Sequence, residues 1–280
     1  MKKIDTHQHF WNLNKVEYSW LAPAFGPIYA NFGPQDLAPQ LKAAGIDATV
    51  LVQSANNNED TVSMLTQAEC YDWIAGVVGW VPLYDHAEAA KLLDRYAKHP
   101  KWCGVRHLNH DEPDPDWLMR PDVLAGIKLL EARDMAFDVV AVWPKHLQHV
   151  PTIARHAPKL RIIIDHMAKP PIKDKHIDDW AAAMAAASAF PNVHVKISGL
   201  NTAADWDTWS AVDLKPYIDK TIDLFGANRC LFGSDWPVAI LAGDYAKVWR
   251  ETNIALQGHS QKDIDAILGG TAAQVYKLAL

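Results

Sequence analysis

The first residues that could do chemistry lie close to the start of the chain, in Asp5-Thr6-His7-Gln8-His9. Two histidines at i and i+2 on a strand project to the same face. Two imidazoles converging there make a ready metal chelate. Two later segments have a similar character. Ile163-Ile164 runs into Asp165-His166, a polar pair closing an apolar stretch. Leu231-Phe232 runs into Gly233-Ser234-Asp235-Trp236-Pro237, where the small residues permit a close approach. His7, His9, His166 and Asp235 are therefore candidate ligands for one divalent ion, with Asp235 and His166 as the candidate acid–base groups. Each is ordinary alone. An HxH pair is more often two satisfied loop histidines, and an Asp or His after a strand often caps the next helix. Their joint placement carries the reading.

That placement depends on the elements around them. Eight short β-rich runs recur: Ile4–Thr6, Ala48–Gln53, Ile74–Val81, Cys103–Leu108, Ala136–Val142, Arg161–Asp165, Val193–Ser198 and Cys230–Gly233. Several are almost continuously apolar, as strands covered on both faces should be. Helical patterns alternate with them at Asp36–Gly45, Asn58–Tyr71, Ala87–His99, Pro121–Arg133, Pro144–His156, Asp178–Phe190, Leu214–Phe225 and Tyr245–Leu256, and a last one covers Gln261–Leu278. Pro151 falls inside the fifth and predicts a kink or restart there. Eight strand–helix units with right-handed crossovers predict an α/β fold, a (β/α)8 TIM barrel, with residues 1–280 as a single domain. The alternative is an open doubly wound sheet, but no Gly-rich phosphate turn follows the first strand. In a closed barrel the first and eighth strands are neighbours, so Asp235 stands beside the HxH pair. Long connections at Phe10–Pro34, His110–Arg120 and Met167–Ile177 are the loops expected to build a site at the mouth.

Other polar residues end the same strands. Arg106 and His107 close the fourth, Gln53 and Ser54 the second, and Lys196 lies between Val195 and Ile197 in the seventh. A surface ion pair is an even alternative for Arg106 and Lys196. However, an inward Lys is costly to bury unless it meets an anion or a hydroxyl. Arg106 and Lys196 are assigned to substrate oxygens, and Gln53, Ser54 and His107 are further polar candidates for binding substrate. Asp165 is expected to orient His166 or the loop after it. Twelve tryptophans is a high count. Most should pack between helices and barrel, but Trp20, Trp80, Trp143 and Trp236 fall in loops or at strand ends, where an apolar wall against a sugar-like ring is possible chemistry. Trp143 and Trp236 are counted among the substrate-binding candidates. His86, His99, His149, His156, His176 and His259 are read as surface residues.

Composition narrows the classes. Apolar residues make up 49% of the chain, enough for a sizeable core, and 27 basic against 33 acidic residues argue against a nucleic-acid partner. The three cysteines form no CxxC pair, so a zinc knuckle or redox dithiol is not expected. No charged region followed by an apolar h-region opens the chain, and no apolar run is long enough to span a membrane. A cytoplasmic protein without membrane or nucleic-acid partners is expected. Nothing in the sequence fixes an oligomeric state.

DTHQHF, the Asp165-His166 pair with Lys169-Pro170, and GSDWP at 233–237 resemble the metal-dependent amidohydrolase superfamily. Gly104-Val105-Arg106-His107 with Asp114-Pro115-Asp116-Trp117, and Lys196-Ile197-Ser198-Gly199-Leu200, are similar to its sugar-lactone hydrolase branch, which includes fuconolactone and rhamnonolactone hydrolases. The resemblance runs almost end to end. It implies hydrolysis of a small lactone to a hydroxy acid, with Asp235 as general base and the His7, His9, His166 cluster beside it. Dinuclear members supply a bridging Lys from strand 4 and a His from strand 5. Here strand 4 has Arg106 and His107 and strand 5 neither, so one ion at most is implied, with zinc favoured. Some similar lactone hydrolases work without metal, which leaves the ion dispensable in principle. A mononuclear-metal decarboxylase, an amidase and a non-catalytic ligand-binding barrel are the rival readings. They are disfavoured respectively by the few cations at strand ends, the missing strand-5 His, and the retention of Asp235.

Overall fold

The apolar runs form strands β1 (Ile4–Gln8), β2 (Ala48–Val52), β3 (Ile74–Gly79), β4 (Trp102–His107), β5 (Ala136–Val139), β6 (Arg161–Ile164), β7 (Val193–Ile197) and β8 (Cys230–Phe232) in the computed structural model, which describes residues 1–280. Each pairs in parallel with the next, in chain order. The seam between β8 and β1 is closed at the top. Asp235 N–H donates to the His7 carbonyl and His9 N–H to that of Trp236, each at 2.7 Å. Lower down, Thr6 Oγ1 donates to the Phe232 carbonyl at 2.6 Å. The eight-stranded (β/α)8 barrel expected from the alternation is what forms.

Helices α1 (Pro34–Ala44), α2 (Asn58–Cys70), α3 (His86–Tyr96), α4 (Pro121–Ala132), α5 (Val150–His156), α6 (Asp178–Ser188), α7 (Ala211–Phe225) and α8 (Tyr245–Ala255) surround the strands. The larger apolar core lies between these helices and the outward residues of the strands, Leu51, Val105, Phe137 and Ile164 among them. A smaller one, with Ile4, Val50, Val78, Ala136, Ile163 and Leu231, fills the lower barrel interior. No helix is long and apolar enough to cross a membrane.

Three local departures have physical reasons. The fifth helix begins at Val150, not Pro144, because Pro151 fits the first turn, where its missing N–H costs nothing. The C-terminal stretch is not one helix. It divides into α9 (Gln261–Asp265), a π-turn at Ala266–Gly270, and α10 (Thr271–Val275). Gly269 touches the start of the chain so closely that a Cβ there would lie 2.0 Å from the Lys2 carbonyl oxygen. In β1 the register slips by one residue between Asp5 and Gln8, which pair with Thr49 and Leu51. This bulge brings both Ile4 and His7 to the interior although they are three residues apart.

The tail after α10 closes the lower mouth. Tyr276 is buried, and its hydroxyl reaches both oxygens of Asp138, at 2.7 and 2.9 Å. Removing this donor leaves a buried carboxylate short of a partner. Tyr276→Phe is expected to lower unfolding free energy by about 1–3 kcal/mol in urea titrations, while Tyr84→Phe at an exposed position changes nothing measurable. Equal midpoints for the two variants would show that the phenol contributes no stability.

Candidate active site

Past the bulge, His7 and His9 share the inward face, as their i, i+2 spacing requires. Three imidazoles converge on one carboxylate oxygen. The Nε2 atoms of His7, His9 and His166 lie 3.8, 3.5 and 3.9 Å from Asp235 Oδ1. All four residues are buried. His166 and Asp235 arrive through left-handed backbone, at φ 54° and 60°. His166 opens a run of four such residues, with Met167, Ala168 and Lys169 at φ 50°, 62° and 55°. Left-handed turns cost about 1–2 kcal/mol per non-glycine residue. Hydrogen bonds hold this one: Trp180 Nε1 donates to the Met167 carbonyl and Trp143 N–H to that of Ala168, both at 2.8 Å.

The far nitrogen of each ring has its own partner. His9 Nδ1 meets the Val52 carbonyl at 2.8 Å, and His166 Nδ1 meets Ser198 Oγ at 2.9 Å. His7 Nδ1 lies between Asp165 Oδ1 at 3.3 Å and Lys196 Nζ at 3.1 Å. A carbonyl only accepts, so His9 carries a proton on Nδ1, with its Nε2 turned toward Asp235. Burial, with the nearby Lys196 and Arg106 charges, holds His7 well below the usual imidazole range. Burial does the same to His166, against the pull of Asp235. His7 and His166 are therefore neutral rings. Burial alone would raise Asp235, but His166, His9 and Lys169 bring its carboxyl down to about 2.

Under the imidazoles lies a buried ionic layer. Lys196 pairs with Asp138 and, at 3.2 Å, with Asp165 Oδ1. Arg106 Nε meets Asp165 Oδ2 at 2.9 Å. Burial works against an ionised Asp165, yet Lys196 and Arg106 together lower its pKa.

Above the imidazoles is a cavity of about 350 Å³. His9, His166 and Asp235 form part of its floor, and Gln53, Ser54 and Arg106 part of one side. The three long loops contribute Trp20 and Phe25, His110 and Asp111, and Lys169. A larger outer groove of about 750 Å³, between the first loop and α2, contains none of the four central residues.

Several candidates lie elsewhere. Lys196 is fully buried in the ionic layer and does not reach the cavity. Asp165 serves His7, Arg106 and Lys196 rather than His166. His107 points outward, stacked on Trp117 at 3.9 Å and accepting from Trp80 Nε1 at 2.9 Å. With Arg106 inward on the same strand, strand alternation requires this. Trp236 packs against Phe10 and Phe32 behind the wall, and Trp143 is half-buried against the outer core. His149 is buried rather than on the surface, with its Nε2 3.1 Å from Asp116 Oδ1. The residues overlooked are Asp138, Phe25, His110, Asp111 and Lys169. Asp138 had a sequence signal as a lone acid inside an apolar strand, and Lys169 stood in the Lys169-Pro170 motif without being given a role.

The donor set fits a divalent ion. His7 Nε2 and Asp235 Oδ2 are buried with no hydrogen-bond partner. Ligand atoms of His7, His166 and Asp235 lie within 4.8 Å of one another. A tetrahedral ion with ~2.1 Å bonds separates its ligands by about 3.4 Å, close to the Nε2–Oδ1 distances. Gly199, at φ 58°, makes room for this cluster: a Cβ there would lie 2.6 Å from His166 Nδ1 and 2.8 Å from Asp235 Oδ2. Gly199→Ala is expected to weaken zinc uptake about 10- to 100-fold in equilibrium dialysis. Gly45→Ala, also at positive φ but with nothing within 4 Å, should leave uptake unchanged. Equal uptake by the two variants rejects the packing argument.

Comparison with known proteins agrees with this geometry. The amidohydrolase family model matches residues 4–278. An L-fucono-1,5-lactonase of Burkholderia ambifaria is 42% identical, over 87% of this chain and 83% of its own. An L-fucono-1,5-lactonase of Burkholderia multivorans is 33% identical, over 99% and 96%. The crystal structure of a Burkholderia multivorans amidohydrolase with bound zinc superposes with a TM-score of 0.91 at 31% identity, covering 100% of both chains. With a barrel of this topology and a match along nearly its whole length, the chain belongs to the amidohydrolase family.

Proposed function

We propose that the protein hydrolyses a sugar-acid lactone, of the L-fucono-1,5-lactone class, to the open hydroxy acid. The observation that carries this reading is the cluster of three imidazoles around one ionised carboxylate, with His9, His166 and Asp235 on the floor of the cavity. The similarity to lactonases at 33–42% identity supports the substrate class.

Ring opening needs an activated water, charge stabilisation at the carbonyl oxygen, and a proton for the leaving alkoxide. Asp235, ionised at neutral pH, accepts the proton of water as its oxygen adds to the carbonyl carbon. The same carboxyl then gives that proton to the ring oxygen as the C–O bond breaks. Acid–base catalysis of this kind contributes about 10²–10⁴-fold. Arg106 is held by Asp165 and, through Nη1, by the Gln53 carbonyl at 3.1 Å, which fixes its remaining edge toward the cavity for a substrate oxygen. Gln53 presents an amide to ring hydroxyls. Trp20, anchored by its Nε1 to the Ser54 carbonyl at 2.7 Å, supplies with Phe25 the apolar wall for the ring face. His7, His9, His166 and Asp235 would hold one divalent ion, zinc by donor type. When bound, it supplies Lewis-acid polarisation of the substrate and makes nearby water more acidic.

A pH-indicator assay against a panel of sugar-acid lactones should show acid release by the wild-type protein. Asp235→Asn is expected to reduce kcat by about 10²–10⁴-fold without loss of fold by circular dichroism. Near-wild-type turnover in that variant rules out Asp235 as the base. Dialysis against a chelator should strip the metal and lower kcat at least about tenfold, restored by added zinc. Full activity in metal-free protein would leave the chemistry to the side chains alone.

A further inference from the structure

Two of the cations near the site already have carboxylate partners. Arg106 is paired with Asp165, and Lys196 with Asp138 and Asp165. Lys169 differs. It lines the cavity, has no carboxylate within ion-pair distance, and its ammonium has one hydrogen bond, to Thr202 Oγ1 at 3.4 Å. It is the last residue of the left-handed run that begins at His166, so the turn that delivers the imidazole also carries this side chain back over the cavity. Its field reaches three of the four central residues, His7, His166 and Asp235. Among the causes that lower the pKa values of His7, His166, His110 and Asp235, the Lys169 charge appears each time. His110, the neighbouring basic group on the rim, is pushed down to about 3 by burial and then by Arg106 and Lys169. It is neutral and does not compete for an anion.

We propose that Lys169 is the anion-binding residue of the site, its ammonium meeting the lactone carbonyl oxygen as negative charge builds there and then the carboxylate of the opened acid. This rests on the lactonase reading. As the oxygen of water bonds to the carbonyl carbon, one proton passes to Asp235 and the C=O π pair moves onto the oxygen beside Lys169. That pair re-forms the carbonyl, the ring C–O bond breaks, and the proton on Asp235 goes to the ring oxygen. The resulting acid loses its own proton to solvent. The lactone is neutral, whereas the addition intermediate and the product are anions. A cation without a carboxylate partner therefore discriminates between them: it raises kcat more than it lowers KM, and it binds product.

The test compares purified wild type, Lys169→Gln and Lys169→Arg. Turnover is measured with L-fucono-1,5-lactone, and binding of L-fuconate, which is not turned over, by calorimetry. Lys169→Gln is expected to lose about 10²–10³ in kcat, with KM within about threefold. Its L-fuconate affinity should fall at least about tenfold. Lys169→Arg keeps the charge and should retain L-fuconate affinity. Lys169→Asn, better suited to left-handed backbone, is the second neutral variant should Lys169→Gln misfold. A rise in KM alone, or unchanged kcat and L-fuconate affinity in the neutral variants, overturns the assignment while wild-type lactone opening still stands. Conversely, weaker L-fuconate binding by the neutral variants of a wild type that opens no lactone sustains the anion site and removes the lactonase reading.

Discussion

The site depends on a seam. Where β8 meets β1, two backbone hydrogen bonds of 2.7 Å join Asp235 to His7 and His9 to Trp236. They close the barrel and at the same time set a carboxylate beside two imidazoles drawn from the other end of the chain. Backbone bonds of this kind fix register to within one residue, and a slip by one would turn each side chain to the opposite face. The bulge between Asp5 and Gln8 adjusts that phase once, so that the lower residues of β1 fill the apolar plug and the upper ones face the mouth.

The ionic layer beneath the imidazoles is the second constraint. Asp138, Asp165, Lys196 and Arg106 bring two negative and two positive charges into an interior where a lone charge is prohibitive. Their mutual pairing makes burial tolerable, and the Tyr276 hydroxyl adds one donor from below. The layer also controls a proton. Asp165 favours the His7 tautomer that leaves Nε2 free for a ligand, while Lys196 favours the opposite one. Outer partners of this type orient metal-binding histidines and tune their basicity. The layer thus meets the site in two places, through His7 on the imidazole side and through Arg106 at the cavity wall, while Asp138, Asp165 and Lys196 stay below.

Much of this was readable in advance. The alternation of apolar runs and helical patterns identified all eight strands, and HxH, Asp165-His166 and GSDWP marked the ends of the strands that matter. The three long connections were recognised as the loops of the mouth, and each lines the cavity. The misplacement of His107 was avoidable, because alternation with an inward Arg106 sends it outward. Lys196 was rightly expected to face inward, but its height in the barrel, below the mouth, depends on register and not on spacing.

Residue order alone determined the fold class and the four side chains that converge, because period-two patterning and strand-end position are local properties carried by neighbouring residues. Tertiary structure decided which polar groups reach the cavity and which neutralise one another below it. That depends on the barrel's stagger, on a bulge in β1, and on four successive left-handed residues after β6, none of which has a glycine to announce it. Such conformations are imposed by contacts from distant segments, here Trp143 and Trp180, so no reading of the local sequence contains them.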